Sequence, residues 1–134
     1  MPKQLRTSRA VWSLVADIVI VIVFAIIGRA SHGEALSLGG IATTTWPFLV
    51  ALLVGWAALF AWRSPARPVR IGLPLWAVTV AGGMLLRAVS GQGTAVPFII
   101  VASVFLLLTL VGWRVVATLV GRRQGARSAS EASR

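Results

Sequence analysis

Residues 10–28, AVWSLVADIVIVIVFAIIG, form an apolar run that carries a single ionisable side chain, Asp17. A helix needs about 20 predominantly apolar residues to cross the hydrocarbon core of a bilayer. The run therefore predicts a transmembrane helix, and it sets a problem for the rest of the chain. An Asp at the centre of a membrane helix costs about 3 kcal/mol on insertion scales, so Asp17 must face the bundle and find a partner there. Lys3, Arg6 and Arg9 precede the run as they would in a signal peptide. The run is longer than the usual core of such a peptide, contains an acid and ends without an A-x-A site, so a retained span is expected.

Three further segments have the same character: residues 45–62, 71–89 and 96–120. The sequence thus predicts an all-α fold, a four-helix transmembrane bundle spanning residues 10–120 between polar ends at 1–9 and 121–134. The tail GRRQGARSASEASR has no apolar pattern and is expected to be disordered. Only 12% of the 134 residues are charged, about half the proportion in soluble domains, so no soluble domain fits beside the spans.

The net charge of +10 is an argument about topology rather than about nucleic acid. Lys3, Arg6 and Arg9, then Arg63, Arg67 and Arg70, then Arg122, Arg123, Arg127 and Arg134 fall on one side of a four-span chain, ten in all, against Arg29 and Arg87 on the other. Both termini are then cytoplasmic by the positive-inside rule. Arginine-rich, alanine-rich composition points to a GC-rich prokaryotic genome and hence to a prokaryotic cell membrane. Trp12, Trp62 and Trp113 lie towards the cytoplasmic interface and Trp46 towards the outer one, as aromatic belts do. Trp56 and Trp76 fall deeper and are expected to pack between helices.

Entry into the second span has two readings. Residues 37–45, SLGGIATTT, form either an interfacial turn, with Thr45 as N-cap and Pro47 in the first helical turn, or the start of one longer helix kinked at Pro47. Pro97 is likewise an early-turn residue of the fourth span, with Thr94 as a candidate cap. The two hairpins echo each other. RASHG, WPF and GW in the first match RAVSG, VPF and GWR in the second, although Arg29 to Pro47 is 18 residues and Arg87 to Pro97 only 10. A duplication of this kind would be parallel, about an axis along the membrane normal.

Asp17 lies eight residues after Arg9, and Arg114 lies eight residues before Arg122. Both are then about 12 Å inside their helices from the same surface. Opposite charges at equal depth predict an intramembrane ion pair. It is either a proton- or ligand-linked switch or a structural pair that sets helix order, and Arg114 has the further option of snorkelling to the headgroups. Helical spacing carries the Asp17 face through Val21, Phe24 and Gly28 to Ser31 or His32. On the third span Trp76, Thr79 and Gly83 share a face with Arg87, and Gly82 and Gly83 permit close helix approach. If these faces meet, Arg29, His32, Glu34 and Arg87 gather at the outer end. That cluster is either an anion-attracting vestibule or a set of interfacial anchors.

Other chemistry lacks parts. There is no cysteine, and His32 with Glu34 does not amount to a metal site, so neither metal nor cofactor is expected. No base is placed to activate a serine, and no Gly-rich loop precedes a soluble helix, so an enzyme is the least favoured class. The partners expected are the lipid bilayer, a small anionic solute and, because four helices are few for a transport path, a second copy of the chain; nucleic acid is not expected.

Asp17, Phe24, G-R-x-S-H-x-E (28–34), W-P-F (46–48), G-W (55–56), W-x-x-T-x-x-x-G-x-x-L-R (76–87), G-T (93–94) and G-W-R (112–114) occur in this order. Taken together they resemble a family of small four-span prokaryotic membrane proteins catalogued as a domain of unknown function. The resemblance covers about residues 9–120. It implies four spans and marks the polar residues named above as site candidates, without implying an activity. Two functions stay open: binding or transport of a small solute along the polar line, and a non-transporting membrane partner or assembly subunit. The orientation has a direct test. Alkaline phosphatase fused after Gly33 or Gln92 should be active, and the same reporter fused after Arg134 inactive; the opposite pattern would invert the topology.

Overall fold

The computed structural model describes residues 2–134, and all regular structure among them is helical. Four helices are long and apolar enough to cross a membrane: α1 (Lys3–Ser31), α2 (Leu38–Ala58), α3 (Pro68–Val89) and α4 (Val96–Ala132). Each packs on the next, and α4 closes the ring against α1. The centre is filled by Val21 and Phe24 of α1, Phe48 and Leu52 of α2, Leu75 of α3, and Leu106 and Leu110 of α4. Phe24 makes an edge-on contact with Phe48, with centroids 5.2 Å apart, and also meets Phe98 and Phe105. The outward faces are apolar too: Val19, Val54, Leu85, Val104 and Leu108 are all exposed. Helices apolar all round belong in lipid, where burial in protein and burial in hydrocarbon are alike.

Several boundaries differ from those expected. Helix α1 starts at Lys3, because nothing between Pro2 and Ala10 breaks it. Helix α2 starts at Leu38, and the Oγ of Ser37 before it accepts the Gly40 N–H at 3.0 Å, so Ser37 and not Thr45 is the N-cap. Pro47 therefore lies inside one longer helix. Ala95 occupies the N-cap of α4 without a side-chain bond, so Thr94 does not cap it. The tail expected to be disordered continues α4 to Ala132. Elongation from a formed helix avoids the cost of nucleation, and Ala, Arg and Gln are good helix formers. At the end of α2, Phe60 takes a left-handed backbone with φ 49°, turning the chain into a short 3-10 turn, Ala61–Arg63.

Two of the helices contain π turns: Pro68–Gly72 opens α3, and Leu107–Val111 lies within α4. They touch each other. A Cβ on Gly72 would come within 3.2 Å of the Arg114 Cδ and 3.5 Å of the Val111 Cα, so glycine is what lets the two turns close on the arginine stem.

The α2–α3 seam is the most extensive helix contact. A Cβ on Gly82 would lie 2.9 Å from the Ala51 Cβ, one on Gly55 2.8 Å from Leu75 Cδ1, and one on Gly83 would overlap the Phe48 ring. Gly28 differs from these glycines and from its expected packing role: a Cβ there meets nothing within 4 Å. The α1 seam ends at Phe24 and Ala25, where the Phe24 ring sets the helix spacing. Gly83→Leu should therefore destabilise the bundle by about 1–3 kcal/mol through overpacking. Gly28→Ala should not destabilise it. Thermal denaturation of both variants in one detergent checks the contrast.

Candidate functional site

Asp17 is completely buried, and so is Arg114. Their contact is bidentate. Arg114 Nη1 donates to Asp17 Oδ1 at 2.9 Å, and Nη2 to Oδ2 at 2.6 Å. Each carboxylate oxygen meets its own Nη, the two-point geometry that adds direction as well as strength to such a pair. Two indoles complete the shell: Trp56 Nε1 donates to Oδ2 and Trp113 Nε1 to Oδ1, each at 2.9 Å. An ionised carboxylate offers about four lone-pair sites, and here four donors occupy them.

The arginine is equally committed. Its Nε donates to the Pro65 carbonyl at 2.8 Å, and Nη1 also reaches the Leu110 carbonyl at 2.9 Å. Leu110 lies within the π turn of α4, and single π turns inside α-helices occur frequently at functional sites. Trp113 packs its ring against the guanidinium, with Cζ 4.5 Å from the centroid. Thr118 Oγ1, one turn on, donates to the Arg114 carbonyl at 2.8 Å and reaches towards the Ala66 carbonyl. The 64–67 segment is thus folded over Arg114, with two carbonyls turned inward to α4. Trp76 makes a separate link, donating from Nε1 to the Ser103 carbonyl at 2.8 Å and tying α3 to α4.

The opposite end is built differently. Arg29 donates from Nε to the Ala35 carbonyl and from Nη1 to Thr44 Oγ1, and pairs with Glu34 at 2.9 Å. Arg87 donates from Nε to the Gly93 carbonyl and from Nη1 and Nη2 to the side chain and carbonyl of Gln92. Its guanidinium also stacks on Phe98 at 4.1 Å. Each arginine closes its own hairpin, and the two share no bonded partner. His32 ends α1 as its C-cap and is exposed. Glu34, the ion-pair partner of Arg29, also acts electrostatically on Arg87, so three of the four residues expected to gather here are within electrostatic reach of one another.

The two closures are alike. In each, the arginine Nε binds a carbonyl six residues on, and the arginine's own carbonyl accepts the N–H five residues on, from Glu34 in the first and Gln92 in the second. A left-handed glycine, Gly33 or Gly91, turns the chain between them. The sequence pattern is R-A-x-x-G-[EQ], shared by RASHGE and RAVSGQ.

Sequence reasoning does not reach the two indole donors. It places Trp56 as a packing residue and Trp113 as an interfacial belt residue. A signal is nonetheless present: both follow a glycine in the repeated G-W dipeptide, and a buried indole N–H needs an acceptor, for which Asp17 is the one carboxylate within the apolar runs. Trp56→Phe keeps the ring and removes one donor. Hydrogen bonds to a charged group contribute about 1.5–3 kcal/mol, so the variant should lose about that much stability, read as a lowered denaturation midpoint. A neutral result would mean that Asp17 does not depend on the indole.

No curated protein and no solved structure matches the chain. A family model described as "Protein of unknown function (DUF3054)" matches residues 14–117, a stretch that holds Asp17, both hairpin closures and Arg114. The chain belongs to this family of proteins of unknown function, DUF3054.

Proposed function

We propose that this protein is a non-transporting membrane partner or assembly subunit of a prokaryotic cell membrane, in which Asp17 and Arg114 brace the bundle. The observation that carries this reading is the saturation of Asp17. Its carboxylate accepts from Arg114, Trp56 and Trp113 and has no exposed surface. A proton relay or an ion path needs a lone pair or donor that faces water or the solute. Neither member of this pair presents one, and Arg29 and Arg87 each donate to a backbone carbonyl of their own turn. A cytoplasmic placement of both termini is supported by the ten basic residues at that end against two at the other.

A brace and a gate respond differently to the same substitutions. If the pair braces the fold, Asp17→Asn and Arg114→Gln should each destabilise it by about 3–5 kcal/mol, because each leaves a buried charge unmatched. The double variant Asp17→Leu/Arg114→Met should recover part of that loss. Proteoliposomes holding the wild-type chain should pass chloride, phosphate and protons no faster than empty vesicles. Flux above that background, abolished by Asp17→Asn in a chain of unchanged stability, would make the pair a gate and overturn the proposal.

A further inference from the structure

The end of the bundle that carries both termini holds a cavity of about 640 Å³, within the range of small-molecule sites. Trp12 of α1, Trp62 of the α2–α3 connection and Trp113 of α4 line it, together with Arg6, Arg63 and Arg67. Arg9 also lines it. It belongs to neither the buried pair nor the hairpin closures, although Trp113 is shared between its wall and the Asp17 shell.

Its charge is one-sided. The chain has three acids. Asp17 is enclosed by its donors, Glu34 pairs with Arg29 at the other end, and Glu131 lies in the last turns of α4. None of them lines the cavity. The carbonyls of the 64–67 segment do not compensate, because those of Pro65 and Ala66 point to Arg114 and Thr118. Arg6, Arg9, Arg63 and Arg67 therefore line a space that holds no carboxylate. Arg63 and Arg67 are solvent-exposed, and the Arg63 guanidinium lies over Phe60, with Cζ 4.8 Å from the ring centroid. Here a connecting segment, held down by Arg114, brings Arg63 and Arg67 against α1 and α4.

We infer that this cavity binds a phosphate-class anion, carried either by a phospholipid headgroup or by a free phosphate compound. Guanidinium groups match phosphate oxygens in a bidentate fork. The indole walls suit the less polar stem of an amphiphile, since tryptophan is at home where one end is apolar and the other wet. Glycerophospholipid and soluble phosphate share the recognised group and differ only in the remainder of the molecule.

The experiment uses the full chain in a neutral detergent. Inorganic pyrophosphate is one probe and phosphatidylglycerol in mixed micelles the other, with phosphatidylcholine as a lipid control; tryptophan fluorescence and the thermal midpoint are the readouts. A saturable response to at least one anionic probe is expected. Arg63→Gln/Arg67→Gln should weaken it by about tenfold or more, since two charge-assisted contacts are lost. Arg122→Gln/Arg123→Gln makes the same charge change at the same end but outside the cavity, and should stay within about twofold. Ala117→Trp fills the cavity at constant charge and should also weaken binding; it decides the matter if the arginine variant fails to fold. A response to phosphatidylglycerol that pyrophosphate does not displace identifies the lipid headgroup, and a response to pyrophosphate alone identifies the free anion. Three results would overturn the inference: no saturable response to either anionic probe, equal weakening by the tail variant, or equal binding of phosphatidylcholine.

Discussion

A carboxylate in the interior of a membrane bundle is tolerable only when its lone pairs are filled from within the protein, and Asp17 imposes that condition on three other parts of the chain. Helix α2 supplies Trp56, and α4 supplies Trp113 and Arg114. The 64–67 segment then supplies the carbonyl that Arg114 needs for its remaining edge. Helix–helix association in lipid has no hydrophobic driving force, so packing and polar contacts set the arrangement. Around this centre α1, α2, α4 and one connecting segment have a single register in which every charge is matched. Gly72 and the paired π turns belong to the same requirement, since they make room for the arginine stem beside the α3 backbone.

The other two membrane-end arginines solve a smaller problem by a local route. A helix end leaves carbonyls without partners. Arg29 and Arg87 reach forward over their own turns and bind carbonyls there, each with a left-handed glycine at the bend. The likeness of the two closures extends the echo between the hairpins from letters to hydrogen bonds. It extends further at the buried pair, where the tryptophan of each G-W dipeptide donates to a different oxygen of one carboxylate. The unequal connections, with the first hairpin carrying the extra residues of the SLGG stretch, are absorbed as an early start to α2.

Much of this fold was legible from hydropathy alone, because the bilayer leaves few options for a run of about twenty apolar residues. The depth of Asp17 and Arg114 was legible for a related reason: rise per residue is constant, so distance from a basic flank translates into height. What hydropathy could not reveal is direction around the helix axis. Arg29 and Arg87 each stand at the end of a span opposite the termini, yet each donates to a carbonyl of its own turn, a choice made by backbone carbonyls that no residue letter records. The start of α2 was ambiguous because Gly39, Gly40 and three threonines favour neither helix nor loop, and the Ser37 cap decided it. Trp113 illustrates the same limit, since its position in sequence suits an interfacial belt and only its rotamer sends the indole inward.

The Asp17–Arg114 contact joins residues 97 positions apart, the acid in the first span and the base in the last. Synthesis runs from the N-terminus, so Asp17 reaches the membrane long before the group that neutralises it. Until α4 arrives, the one indole that α2 provides is its sole donor from this shell. Helix α1 is thus an element that its neighbours in sequence cannot neutralise, and the acid waits on a residue 97 positions away. A chain that stops short of Arg114 leaves the Asp17 carboxylate without its counter-ion in the interior of the bundle.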